Sequence, residues 1–237
     1  MSPAKTGGRA AAPLTPAQRS LAGRLPFAGL SDAQRAEMVR AATLHPLRTG
    51  DTCFAQGAQA HRFFVLLDGA LKLVRTTDRG EHVVLLHIAP AQLFGIAAAF
   101  GHDTHHAAAH AVTEGRALSW PASLWARYIR DYPGFNAASR TALGSRNDAF
   151  AGRIIDMATL PVERRIARAI RGLIARYGRQ AAGGIEIGFP ITRQDIAELT
   201  GTTLHSVSRY MSQWQRAGIV ENHRKRVIVR RAEDLPV

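Results

Sequence analysis

The sequence predicts an α+β chain in three parts: an N-terminal β-roll of jelly-roll type, one long helix, and a C-terminal winged helix-turn-helix. Three observations predict it. Short apolar runs split by glycines fill residues 44–120, and a helical period returns over 134–157. The stretch PITRQDIAELTGTTLHSVSRYMSQWQRAG, Pro190–Gly218, then carries two capped helices on either side of a glycine.

Residues 1–20 are small, polar and rich in Pro and Gly, and are expected to be a disordered tail. Next come Phe63–Leu67, Asp68-Gly69, Leu71–Arg75, a turn at Thr77–Gly80, and His82–Ile88. Asp-Gly between apolar alternations predicts a hairpin. Gly50, Gly57, Gly95, Gly101 and Gly115 mark further short strands at the spacing of a sandwich or jelly roll.

Pro121–Arg130 reads as a short helix. The long segment after it has one apolar seam, Phe135, Leu143, Phe150, Ile154, Ile155 and Met157, set among Ala, Ser and Gly. So narrow a seam suits a two-stranded helix interface, and Ala138, Ala142 and Ser145 allow close approach. A helix that merely covers its own sheet is the competing reading.

In the C-terminal motif Thr192 is an N-cap answered by Asp195 in the first turn. Gly201 provides the reversal, and Thr203 caps a second helix. Val207, Tyr210, Met211 and Trp214 recur at helical spacing and pack inward. The other stripe, His205, Ser206, Ser208, Arg209 and Ser212, offers short polar groups and one arginine, which suits a helix lying in a DNA major groove. Ile219-Val220 and Val227–Val229 flank His223-Arg224-Lys225-Arg226 and predict two strands joined by a basic turn, a wing that rests cations on phosphates.

Composition agrees. The 237 residues carry a formal charge of +13, with a pI near 11.3, and this points to a polyanionic partner, double-stranded DNA. From Pro161 onward 14 Lys/Arg face 7 Asp/Glu, against 17 and 11 in the longer preceding part, so positive charge is densest around the motif. A hydrophobic content of 46% supports real cores. The single Cys53 excludes an internal disulfide framework and a four-thiolate iron–sulfur cluster within one chain. No apolar run reaches membrane-spanning length and no secretory h-region occurs, so a cytoplasmic protein without a membrane partner is expected.

Together these parts resemble the cyclic-AMP receptor protein / fumarate-nitrate reductase regulator (Crp/Fnr) family over Leu25–Arg231. The carrying motifs are VLLDGALKLV, LFG ending at Gly95, LPVERRIARAI, and ITRQDIAELTGTTLHSVSRYMSQWQRAGIV. TLHSVSR is similar to the recognition helices of the nitrogen-oxide and heme-sensing branch. The resemblance implies an effector-sensing, cyclic-nucleotide-binding-like domain at 21–133, a dimerisation helix at 134–158 and a DNA-binding domain at 159–237. It implies a homodimeric transcription factor, not an enzyme, that binds a palindromic promoter site under effector control and contacts RNA polymerase. It places Thr192, Gln194, Thr203 and Ser206 on phosphates, His205, Ser208 and Arg209 on base edges, and Arg193 on the DNA-binding surface; Arg224, Lys225 and Arg226 form the wing. Arg209 fits guanine O6/N7, whereas His205 departs from the family's usual glutamate.

The implied effector pocket comprises Phe94, Gly95, Ile96, His105, His106 and Phe150. It departs from members that bind cyclic AMP. Ile96 follows Gly95 where they have a glutamate, His105-His106 stand for Arg-Ser, and Phe150-Ala151 replace the adenine-contacting pair. Cyclic AMP is therefore not the expected effector. The oxygen-sensing branch's N-terminal cysteine cluster is absent too.

Six of ten histidines fall between His82 and His110. Heme or a metal held by His87, His106 or His110, with nitric oxide or another respiratory signal as input, is one reading. Polar histidines on a loop and sheet edge are the other. His106 and His110 are expected to share a strand face. The rival functions are a DNA-binding protein of the same fold without an effector, and a histidine-metal enzyme of cupin type.

Overall fold

The computed structural model describes residues 15–236 other than 24, 26 and 224. Helix α1, Pro16–Gly23, begins inside the expected tail; residues 1–14 of that tail lie outside the described range. Helix α2, Asp32–Ala41, starts at a capping box in which the Ser31 hydroxyl accepts from the Gln34 amide and the Gln34 side chain accepts from the Ser31 amide.

Two antiparallel four-stranded sheets make the β-roll. The first orders β1 (Thr43–Leu47), β8 (Gly115–Pro121), β3 (Arg62–Asp68) and β6 (Leu93–Phe94). The second orders β2 (Thr52–Phe54), β7 (Ala108–Ala111), β4 (Leu71–Thr76) and β5 (His82–Ile88). Leu47, Phe64, Leu66, Leu71, Ile88 and Phe94 fill one core within the roll. A second core lies under the helices, where Phe63, Trp120, Tyr128 and Phe135 pack as an aromatic cluster and the Trp120 indole donates to the Met38 carbonyl at 2.7 Å.

The Asp-Gly pair does not close a hairpin. Strands β3 and β4 belong to different sheets, and Asp68-Gly69-Ala70 is the corner between them. Gly69 has φ +85, and a Cβ there would lie 2.5 Å from the Glu114 carbonyl. The hairpin that does form is β4–β5, whose turn is closed by the Thr77 amide on the Glu81 carbonyl.

Helix α3 spans Leu124–Asp131 and α4 spans Pro133–Thr159. The seam expected along α4 splits three ways. Phe135 is buried in the aromatic core, Leu143 and Phe150 line a cavity, and only Ile154, Ile155 and Met157 stay exposed. The phase of the helix, set by its docking on α3, decides this division.

The C-terminal domain contains α5 (Val162–Tyr177), α6 (Arg193–Thr200), α7 (Leu204–Arg216) and one antiparallel sheet. That sheet orders β11 (Val220–His223), β12 (Arg226–Val229), β10 (Gly184–Ile187) and β9 (Gly178–Ala181), so the two-stranded wing expected from sequence is half of a four-stranded sheet. Ile166, Ile170, Ile196, Val207, Met211 and Trp214 close its core.

The corner glycine generates a stability prediction. Gly69→Ala is expected to lower stability by about 1–3 kcal/mol in urea unfolding. Gly152→Ala in α4, where a Cβ would meet nothing within 4 Å, is expected to gain about 0.5–1 kcal/mol.

Candidate nucleic-acid interface and effector cavity

The reading head is built by two caps and one glycine. The Thr192 hydroxyl accepts from the Asp195 amide at 3.0 Å, and the Asp195 carboxylate accepts from the Thr192 amide at 2.9 Å and hydroxyl at 2.6 Å. Gly201, at φ 60 and ψ 44, reverses the chain. The Thr203 hydroxyl then accepts from the Ser206 amide at 3.1 Å and opens α7. Burial of Val207, Met211 and Trp214 fixes the phase of α7, which turns His205 and Arg209 fully outward, with Ser206, Ser208 and Ser212 along the edges. Arg209 folds back along its neighbour: its guanidinium donates to the Tyr210 hydroxyl at 2.8 Å and sits 4.6 Å from the ring centre.

Thr192, Arg193, Gln194 and Lys225 line one groove between the start of α6, the start of α7 and the wing turn, joined by Ile191, Leu204 and Asn222. Lys225 occupies the turn with φ 72 and is exposed. Arg224 lies outside the described residues. Arg226 is engaged elsewhere: buried Glu186 of β10 accepts from its guanidinium at 2.6 and 3.1 Å and from Arg179 at 3.1 Å. The hydrogen bonds from Arg226 and then Arg179 hold the Glu186 carboxyl down at about 2. Arg226 therefore ties β12 to β10, because its partner lies on a strand the sequence reading did not foresee.

The head is docked on its own β-roll. Lys72 of β4 donates to Asp195 at 2.6 Å, the His87 ring stacks on Phe189 with centres 4.6 Å apart, and the Tyr177 hydroxyl donates to the His87 carbonyl at 2.9 Å. Burial opposes the Asp195 charge, but hydrogen bonds from Lys72 and Thr192 outweigh it and leave its carboxyl below the usual range. Near the end of α4, Met157 lies where a Cβ on Gly201 would reach its Cε at 3.1 Å.

A cavity of about 610 Å³ opens between the roll and α4. Of the residues expected there, Gly95, Ile96, His105, His106 and Phe150 line it; Phe94 does not, being fully buried in the core beneath. Phe54, Leu73, Leu86, Phe100, Leu143, Arg146 and Asn147 are among the other lining residues and were not anticipated. Arg146 lies on α4, and the packing of that helix against the roll brings it to the cavity wall.

The three candidate metal ligands do not converge. His87 and His110 flank Lys72 in one row across β5, β4 and β7, so a cation stands between them. His110 also shares a 3.0 Å hydrogen bond with the Thr52 hydroxyl. His106 precedes β7 in a loop, edge-on to His102, and so does not share a strand with His110. Among the described residues no group of three or more His, Cys, Asp or Glu could hold a metal ion. Burial pushes the Cys53 thiol up to about 11, an unreactive state.

The comparisons agree with this architecture. Residues 164–236 match the Crp-like helix-turn-helix domain, and residues 44–132 match the cyclic nucleotide-binding domain. A CRP-like cAMP-activated global transcriptional regulator of Mycobacterium tuberculosis is 25% identical over 186 residues, 78% of this chain and 83% of the relative. The global nitrogen regulator of a Nostoc species is 26% identical, covering 75% and 81%. Among solved structures, FixK2 of Bradyrhizobium japonicum superposes with a TM-score of 0.70 at 19% identity, covering 83% of this chain and 98% of that one. No helix among the described residues is long and apolar enough to cross a membrane.

The docking surface carries a pH dependence. His87 is held neutral: burial lowers its pKa to about 4 from 6.5, with Lys72 and Arg153 adding to the fall and Asp195 opposing it. The unfolded chain therefore binds the proton first, and stability present above pH 6.5 drains as pH falls toward 4. Urea unfolding at pH 7 and pH 5 is expected to show about 2 kcal/mol of loss from this group. His87→Phe, which keeps the ring on Phe189, should remove that part of the slope.

Proposed function

This chain belongs to the Crp/Fnr family of DNA-binding transcriptional regulators, and from that premise we propose that it reads a palindromic promoter site as a homodimer, gated by a small effector in the cavity beside α4. The single observation that carries the reading is the phase of α7. Its aromatic and aliphatic side is buried, and its imidazole, hydroxyl and guanidinium side faces solvent beside the basic groove. In this reading Thr192, Arg193, Gln194, Thr203, Ser206 and Lys225 hold phosphates and set register, while His205, Ser208 and Arg209 read bases. RNA polymerase is the proposed downstream partner, and the cytoplasm the proposed location.

Dimerisation is proposed through α4. Ala137, Thr141, Gly144, Asp148, Ala151, Ile155 and Ala158 are all exposed and follow one another at alternating steps of four and three, the spacing of a two-stranded coiled coil. Exposed Ile154 and Ile155 supply its apolar end. Two recognition helices so joined suit half-sites one DNA turn apart.

The cyclic AMP in the mycobacterial relative's name is not carried over to this chain. A ribose hydroxyl and a purine edge need polar partners, and the positions that supply them in cyclic-AMP-binding members hold Ile96 and Phe150 here, both in the cavity wall. A histidine-metal enzyme is not favoured either, since His87, His106 and His110 do not converge.

Arg209→Ala is expected to weaken binding to the specific palindrome by about 1–3 kcal/mol while leaving random duplex binding nearly unchanged. Lys225→Ala should weaken both alike and reduce the salt slope by about 1. Fluorescence anisotropy against both duplexes across a salt series checks this; an equal fall for Arg209→Ala on both would remove its base-reading role. Ile155→Glu is expected to sediment as a monomer and to lose the palindrome while keeping weak nonspecific binding.

A further inference from the structure

The α4 side of the cavity holds a charge that the chain does not compensate. Arg146 is largely desolvated within the wall, and its guanidinium donates to the Leu93 carbonyl. Among the described residues no carboxylate pairs with it. A guanidinium has five N–H donors, and a buried cation without an anion is a costly thing to keep. Ile96, which follows Gly95 in the same wall, is apolar and offers no counter-charge.

The rest of the wall defines what can bring that charge in. Phe54, Leu73, Leu86, Ile96 and Phe150 are apolar, and Phe100, 53% exposed, stands at the rim as an apolar lip. His105 lies flat on Phe54 with ring centres 3.8 Å apart, and burial, then His106, keeps it toward its neutral form. A neutral imidazole offers hydrogen bonds but no second charge. The volume, about 610 Å³, falls within the ordinary range for small-molecule sites.

We propose that this cavity binds a small molecule carrying one carboxylate on an apolar body, with Arg146 as the counter-charge that reads the carboxylate. The proposal rests on taking the cavity as the effector site and adds the class of ligand. A bidentate guanidinium–carboxylate pair answers the charge of Arg146, which no carboxylate among the described residues pairs with, and the apolar body covers the wall. A phosphate dianion would bury a second negative charge without an answering cation. A polyhydroxylated ligand would find polar side chains only at His105, His106, Arg146 and Asn147 and would lay its remaining hydroxyls against apolar wall.

The test uses the full-length protein and three probes that share one chain: octanoate, 1-octanol and octyl phosphate, measured by isothermal titration. Octanoate is expected to bind about 10–100-fold more tightly than octanol, the range for a hydrogen bond to a charged group. Arg146→Gln should erase that preference and leave octanol affinity as it was. Thermal melting of the unliganded Arg146→Gln protein at or above the unmodified protein would show that the substitution relieves a buried charge rather than breaking the fold. The head-group comparison on the unmodified protein stands even should the variant fail to fold. Equal affinity for octanoate and octanol, a preference that survives in Arg146→Gln, or tightest binding of octyl phosphate would each overturn the assignment of the charge. If octanol still binds and Ala97→Trp blocks it, the cavity remains a ligand site and only the carboxylate class falls. If none of the three binds and none changes operator affinity, the effector-site reading falls with it.

Discussion

The carboxylate of Asp195 is the contact on which the arrangement of this molecule turns. It closes the first turn of α6 by accepting from the Thr192 amide and hydroxyl, and it accepts from Lys72 of the sensing sheet at 2.6 Å. One side chain thus completes a helix cap in the reading domain and ties that domain to the β-roll. The capping role is local and the ion pair spans 123 residues of sequence. Anything that shifts β4 therefore acts on the start of the helix-turn-helix through a group that the helix cannot spare. Stacking of His87 on Phe189 and the Tyr177–His87 hydrogen bond add to the same docking surface, where the pair is partly shielded from solvent.

The second constraint is the corner at Gly69. Because β3 and β4 part there into different sheets, the roll encloses two faces rather than one, and the second sheet presents Lys72, His87 and His110 in a single outward row. The same closure leaves a space against α4 that side chains of the roll do not fill. Cavity and docking face are thus on one sheet and its neighbouring helix, with Leu86 lining the first and His87 building the second. Successive residues of a strand point to opposite sides, so adjacent positions of β5 serve both surfaces.

Features that depend on a few consecutive residues were readable from sequence. Both caps, the Gly201 reversal, the β4–β5 turn and the inward stripe of α7 were anticipated and are present. Features that need distant partners were not. Asp68-Gly69 has the same turn chemistry whether its strands pair or separate, so local pattern could not tell a hairpin from a corner. Arg226 read as a free cation because Glu186 lies on β10, forty residues away. Phe135 counted toward an exposed seam because its burial depends on the docking of α4 against α3. His106 was placed on a strand that begins two residues later, at Ala108.

The posture of Arg209 bears on how such a protein finds its site. Stowed against Tyr210, the guanidinium is held by a cation–π contact and one hydrogen bond, an exposed arrangement worth about 0.5–1 kcal/mol. In the proposed reading the phosphate-holding groups need nothing from it, so sliding along duplex DNA would leave this arginine retracted. Unfolding it toward a base returns more than it costs only where guanine offers two acceptors, about 1–3 kcal/mol. Under that proposal Tyr210 is a rest position, in which each step along the wrong sequence would leave the arginine.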